Sequence, residues 1–468
     1  MRKHRKWLIS FLLGSMMTVI TYGSENPSMT EGQFINGLQQ RGIKCQEVGD
    51  VNSALTREET ATYLVKALGL SNVAKEYNEQ KVFTDVISHR GEINLIKNLG
   101  LMNGTGDTTF GPNLELSVTA AENVLARVDE VLNSEMQFKH AFYAISSSSQ
   151  ISLIKNYDAI SFGWSELVMD EKRAFSVVTN GKGDFKLPSG FEQPLDEAKA
   201  NNVATYLMVY YEDKGGNIAK LLNDQVQRGN LINQLVQLTK NTEKDGITRS
   251  FDGLTIDFEQ LRSADLKLPY VSFLKELKQA LAAEGKGLMI AVQPTAYFKG
   301  YDYKGIGEVV DRMILMTHDY GAKSLNETEQ KAGKVMTPMT PINEVYKTLL
   351  EATHAVHDKS KLVIQISFST IQWQTKNNQV LHTKAYTPTY AQVEARLSMP
   401  GTQVYYDEAS QNTYATYEME GIKNIIWYED QRSIEAKENL AKLLGIQGIS
   451  YWRLGTIPNS YLSNINLY

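Results

Sequence analysis

The run Phe251–Glu259, FDGLTIDFE, constrains this chain more than any other segment. Apolar and polar residues alternate along it, and side chains two apart on a strand share one face. Thr255, Asp257 and Glu259 therefore point together, while Leu254, Ile256 and Phe258 face the other way. A solvated surface strand would leave that apolar order, begun by Phe251, without a purpose. The expected arrangement is a buried strand carrying a pair of acids to its C-terminal tip. Burial and a neighbouring acid raise a carboxyl's pKa, which is what a general acid needs.

At 468 residues the chain can hold two or three domains and a large core. It opens with Arg2, Lys3, Arg5 and Lys6, then the mostly apolar Trp7–Ile20 and the small-residue site Thr21-Tyr22-Gly23. This three-part pattern predicts a secretory signal peptide over residues 1–23. The apolar stretch is short for a membrane span. The expected location is therefore secreted and cell-wall associated. Cys45 is the only cysteine, so an intrachain disulfide is excluded. The net charge of −5, made more acidic by removal of the basic leader, argues against nucleic acid as a partner. His354 and His357 lack the clustered acids or cysteines of a metal site, and no nucleotide loop is present, so neither metal nor cofactor is expected.

Two weak repeats lie within residues 28–130, one from Leu38 to Leu70 and one from Phe83 to Val128, with Gly42/Gly100 and Gly49/Gly106 in matching register. Each reads as helix, glycine turn, polar loop, then a helix with a threonine N-cap, Thr56 and Thr119 respectively. Phe83, Asp85 and Val86, with Thr56, Arg57 and Glu59, resemble the Phe-x-Asp-Val opening and Thr-Arg-Ala-Glu-like helix start of the S-layer homology module. The resemblance implies wall attachment, with Arg57 binding an anionic secondary wall polymer. The second copy has Ala120 where the arginine belongs, and two copies stand where the family usually has three. A helical spacer without binding is the alternative.

From residue 133 to 468 strand-like and helix-like segments alternate, which implies a parallel sheet. Eight strands are expected: Lys139–Ile145, Asp158–Trp164, Thr205–Tyr211, Gly253–Phe258, Gly287–Gln293, Arg312–Thr317, Lys361–Ser367 and Gly448–Trp452. Residues 370–430, rich in Tyr, Thr, Gln and Asn, read as an α+β insertion between strands seven and eight. The predicted fold is an α/β (β/α)8 TIM barrel with that insertion, preceded by a small helical domain.

The barrel resembles glycoside hydrolase family 18, the chitinases and related N-acetylglucosaminidases, and within it the branch of bacterial spore-cortex and wall-lytic enzymes. Asp252, Gly253, Asp257 and Glu259 fit the family's Asp-Gly-x-x-x-Asp-x-Glu; Met316, Thr317, His318 and Asp319 fit Met-x-Tyr-Asp; Trp452 stands where a tryptophan lies under the reactive sugar. The resemblance implies a retaining, substrate-assisted mechanism. Glu259 would be the acid and base, and Asp257 would raise its pKa and hold the acetamido N–H. Thr255 replaces a third acid, and His318 replaces a tyrosine that donates to the acetamido oxygen. Met316 and Asp319 complete that part of the substrate site, where Asp319 could fix the tautomer of His318 or help polarise the acetamide; a packed core histidine is the alternative for His318.

Tyr143, Trp164, Tyr210, Tyr211, Trp373 and Trp452 are candidates for stacking on sugars, although barrel aromatics are more often plain core. The leading expectation is a secreted glycosidase cutting β-1,4 bonds of N-acetylglucosamine-containing glycans, peptidoglycan before chitin. A chitinase is the second reading, and a carbohydrate-binding protein with a degraded site is the third.

Overall fold

The computed structural model describes residues 27–45, 49–181 and 185–465, so the expected signal peptide lies outside the described residues. Eight parallel strands form a barrel: Phe138–Tyr143, Ala159–Met169, Ala204–Glu212, Gly253–Glu259, Gly287–Val292, Arg312–Leu315, Leu362–Ser367 and Gly448–Trp452. The first strand pairs with the eighth on one side and the second on the other, which closes the sheet. All eight are the strands expected from the sequence, with adjusted ends. The second runs on to Met169 and pairs antiparallel with Phe175–Val178.

The fourth strand shows why this sequence folds this way. A Cβ on Gly253 would lie 2.4 Å from the Gly287 carbonyl oxygen and 2.5 Å from the Tyr206 ring, so only glycine fits. The Asp252 carboxylate accepts from the Thr205 N–H at 2.8 Å and its hydroxyl at 2.9 Å, pinning the third strand to the fourth. Leu254, Ile256 and Phe258 are fully buried on the outward face. They meet the helix Lys267–Ala283, whose Tyr270, Phe273, Leu274, Leu277 and Leu281 recur at helical spacing. Phe258 stacks on Tyr270 and Phe273 at 6.2 and 6.0 Å. The left-handed Gly285, φ 67°, ends that helix. Each buried side chain of this size contributes roughly 1.5–3 kcal/mol, so the register is fixed and the acids must face the lumen.

The insertion is a five-stranded sheet, in the order Gln379–Val380, Ile371–Lys376, Ile422–Tyr428, Asn412–Met419, Gln403–Asp407, with the helix Tyr390–Leu397 on one face. A buried ion pair anchors it. Lys437, on the helix Gln431–Leu443, lies 2.8 Å from Glu429. Glu429 also accepts from Ser433 and Thr340, and Asn412 bonds Thr340 in turn.

The N-terminal repeats share a core that is continuous with the barrel's outer layer. Helices Glu31–Gln40 and Arg90–Asn98 end in left-handed Gly42 and Gly100, as the repeat register requires. Thr56 and Glu59 form a capping box. In the second copy the N-cap is Ser117, two residues before the expected Thr119, because the extended Ser117 hydroxyl accepts the Ala120 N–H at 3.3 Å. The Tyr77 and Tyr346 hydroxyls meet at 2.5 Å and Lys347 pairs with Glu76 at 3.2 Å, joining repeats to barrel.

Replacing Lys437 with Met strands the buried Glu429 charge and should cost about 3–5 kcal/mol in denaturant unfolding. Adding Glu429→Leu should restore most of that loss. A single variant as stable as the parent contradicts this role for the pair.

Candidate active site

The lumen face of the fourth strand carries Thr255 and Asp257, buried at 0% and 3% exposure, and then the partly buried Glu259 at its tip. Asp257 Oδ1 is buried and has no hydrogen-bond partner among the described residues. Burial, and then the charge of Glu259, push the Asp257 carboxyl well above the usual carboxylate range. Burial also raises Glu259, to about 7, against the opposing charge of His318. The carboxylates that add to this rise are Glu212 and Asp319. Asp257 was the neighbour expected to raise Glu259; burial, Glu212 and Asp319 do so instead, while Glu259 raises Asp257.

Thr255 lies below the acids as part of a polar chain through the lumen. Its hydroxyl is 2.6 Å from Ser161 Oγ, which lies 2.8 Å from His140 Nε2, and His140 Nδ1 lies 2.8 Å from Ser450 Oγ. Burial lowers His140 to about 3, so the imidazole is neutral. A threonine hydroxyl suits this neutral chain, where an extra buried charge would need a cationic partner.

At the tip of the sixth strand His318 Nε2 is 2.7 Å from Gln365 Oε1, and Nδ1 is 3.3 Å from Asp319 Oδ2. Burial opposes the charged ring, but Asp319 and Gln365 prevail and raise its pKa above the ordinary value. Asp319, left-handed at φ 64°, also pairs with Lys323 at 3.0 Å. Although its burial works the other way, His318 and Lys323 hold it well below the usual carboxylate range.

Phe142, Met208, Ala291, Ile314 and Val363 fill the lumen beneath. Tyr210, Met316 and Trp452 pack on this floor and stay partly exposed, with Trp452 5.1 Å from Phe142 and Tyr210 stacked on Phe185 at 4.2 Å. The other expected aromatics are elsewhere. Tyr143 and Trp164 face outward into the helix layer, where Trp164 is fully buried among Phe162, Phe191 and Phe251. Ser161 and Ser165 take the inward positions of that strand, so residues 162 and 164 must face out. Tyr211 packs on Phe175 and Phe258, and Trp373 is buried in the insertion, donating to Thr337. None of these four belongs to the site.

Several site residues were not anticipated. Gln293 Nε2 donates to Glu259 Oε2 at 3.2 Å while its Oε1 accepts the Gln260 N–H at 2.6 Å. Gln365, Glu212 and Lys323 join it. For Gln293 and Gln365 a signal existed, a single amide in or directly after an apolar strand. Arg57 lies far from this centre in the chain and is engaged locally. It donates to the carbonyls of Phe110 at 2.8 Å and Asn103 at 2.5 Å, and covers the Phe110 ring.

Replacing Glu212 with Gln removes a charge that raises Glu259, so Glu259 should titrate at lower pH. Carbon-detected NMR of glutamate-labelled protein reads this directly, and an unchanged midpoint contradicts the assignment.

Residues 129–456 match the family described as glycosyl hydrolases family 18, and residues 82–117 match the S-layer homology domain. A cortical fragment-lytic enzyme of Bacillus subtilis is 29% identical over 265 residues, 54% of this chain and 56% of that protein. The chain thus spans about half the length of this curated relative. The spore cortex-lytic enzyme SleL of Bacillus cereus has the same barrel fold, with a TM-score of 0.56 and 20% identity, covering 70% of this chain and 73% of that one. So does a chitinase of Chromobacterium violaceum, with a TM-score of 0.57 and 18% identity over 70% and 98% of the two chains.

Proposed function

The chain belongs to family 18 of the glycosyl hydrolases, and from that premise we propose that it is a retaining glycosidase of N-acetylglucosamine-containing glycans. The observation that carries this reading is the buried, unpartnered Asp257 oxygen beside a Glu259 held near pKa 7. An acid protonated at neutral pH can donate to a leaving glycosidic oxygen. A buried carboxyl oxygen lacking a donor can accept the N–H of a 2-acetamido group.

In the first step the acetamido oxygen attacks the anomeric carbon as the glycosidic bond breaks, and the leaving oxygen takes the proton of Glu259. An oxazolinium ring remains, its positive charge offset by the carboxylate that proton transfer leaves on Glu259, while an Asp257 oxygen accepts its N–H. In the second step Glu259 takes a proton from water, whose oxygen opens the ring from the face the leaving group vacated. Two inversions give retention. Gln293 holds Glu259 in place, and Trp452 supplies the apolar platform under the sugar. Tyr210 and Met316 complete the walls.

Peptidoglycan is favoured over chitin, since the Bacillus subtilis relative is a cortical fragment-lytic enzyme. The S-layer homology match supports residence at the cell surface on a secondary wall polymer after export. Arg57 would act there indirectly, by shaping the loop at Asn103–Phe110 that it fastens.

Wild-type protein incubated with peptidoglycan and chitooligosaccharides should release new N-acetylglucosamine reducing ends, identified by mass spectrometry. Replacing Glu259 with Gln should lower kcat by about 10²–10⁴. Product from neither polymer, with binding intact, favours a carbohydrate-binding role instead. Because the acid must be protonated, kcat should fall as pH rises through about 7, the Glu259 value. A rate that stays level well into alkaline solution contradicts Glu259 as the acid.

A further inference from the structure

We propose that Gln365, and not His318, is the side chain that orients the substrate's acetamido carbonyl; this rests on the hydrolase reading above. His318 occupies the place from which a donor to that oxygen was expected, but neither ring nitrogen is open to the lumen: Nε2 is hydrogen-bonded and Nδ1 is buried. Nε2 faces Gln365 Oε1 at 2.7 Å and Nδ1 faces Asp319 Oδ2 at 3.3 Å. Both partners are acceptors, so both ring positions carry protons. Nε2 is taken by Gln365, and Nδ1, buried and without a hydrogen bond, faces only its ion-pair partner Asp319, so the ring presents no N–H to a ligand.

What it does instead is fix Gln365. With Oε1 held by His318, the amide nitrogen is turned away from the ring. Gln365 is 1% exposed, and its Nε2 has no protein partner among the described residues. The backbone is fixed as well, because Thr317 Oγ1 donates to the Gln365 carbonyl at 3.0 Å. Gln365 lies two residues above Val363, which is part of the lumen floor, so it shares the inward face. The seventh strand aligns it with Ser450, and the next inward residue, Ser367, with Trp452. The amide thus lies one step below the sugar platform on the lumen wall.

The chemistry favours an amide here. The acetamido oxygen is the nucleophile, and positive charge grows on its group as it attacks. An imidazolium donor would oppose that charge, whereas a neutral N–H orients the oxygen at smaller cost. The chain Lys323–Asp319–His318–Gln365 runs from the exposed rim to the lumen, so the cation is balanced before it reaches the substrate.

The test is binding of N-acetylglucosamine tetrasaccharide and its fully deacetylated counterpart to full-length protein carrying Glu259→Gln, by calorimetry. Gln365→Leu removes the donor. Gln365→Glu also removes it but keeps an acceptor for His318, which guards against a folding failure. In both, affinity for the acetylated sugar should fall about tenfold, the worth of one neutral hydrogen bond, with the deacetylated sugar unaffected. Acetyl preference unchanged in both variants, or absent before either change, overturns the assignment. Absence of cleavage by wild-type protein would defeat only the hydrolase reading, because the binding comparison needs no turnover.

Discussion

Two carboxyl groups on the inward face of one barrel strand cannot both stay charged away from water, and the rest of the site is arranged around that constraint. The outward residues Leu254, Ile256 and Phe258 are committed to the helix layer, so Asp257 and Glu259 have nowhere else to point. Burial raises both. Gln293 steadies Glu259, while His318 and Lys323 supply positive charge on the far side. The result is a carboxyl that holds or releases a proton near neutrality, with an unpartnered acceptor beside it.

The neutral chain from Ser450 through His140 and Ser161 to Thr255 belongs to the same balance. A third acid in place of Thr255 would add charge to a lumen that already holds two carboxyls. With a hydroxyl there, the cost of burial falls on Asp257 and Glu259 alone. The insertion is anchored separately, through Glu429 and Lys437, so its position over the barrel depends on a charge pair distant in sequence from the fourth strand.

Much of this was legible in the sequence because the barrel's signals are local. Alternation of strand-like with helix-like segments marked all eight strands, and richness in Tyr, Thr, Gln and Asn marked the insertion. Facing was harder. Trp164 looked like a sugar platform, but the small residues Ser161, Gly163 and Ser165 take the inward positions and force the aromatic outward. The second N-cap moved because Ser117 and Thr119 compete over the same turn, and the geometry that decides is not written in composition. His140 and Gln365 gain their roles from neighbours on other strands, which spacing alone does not reveal. Arg57 matched a motif, yet its guanidinium is engaged by the loop of the second repeat.

The proposed nucleophile is the acetamido oxygen, with Asp257 accepting the acetamido N–H and Glu259 as acid and base. Time-resolved proton NMR of the first product from a β-linked N-acetylglucosamine oligosaccharide tests it most directly. The account predicts the β-anomer first, with the α-anomer growing only by mutarotation, and no turnover of the deacetylated oligosaccharide. Initial release of the α-anomer, or equal turnover of the deacetylated sugar, would contradict it.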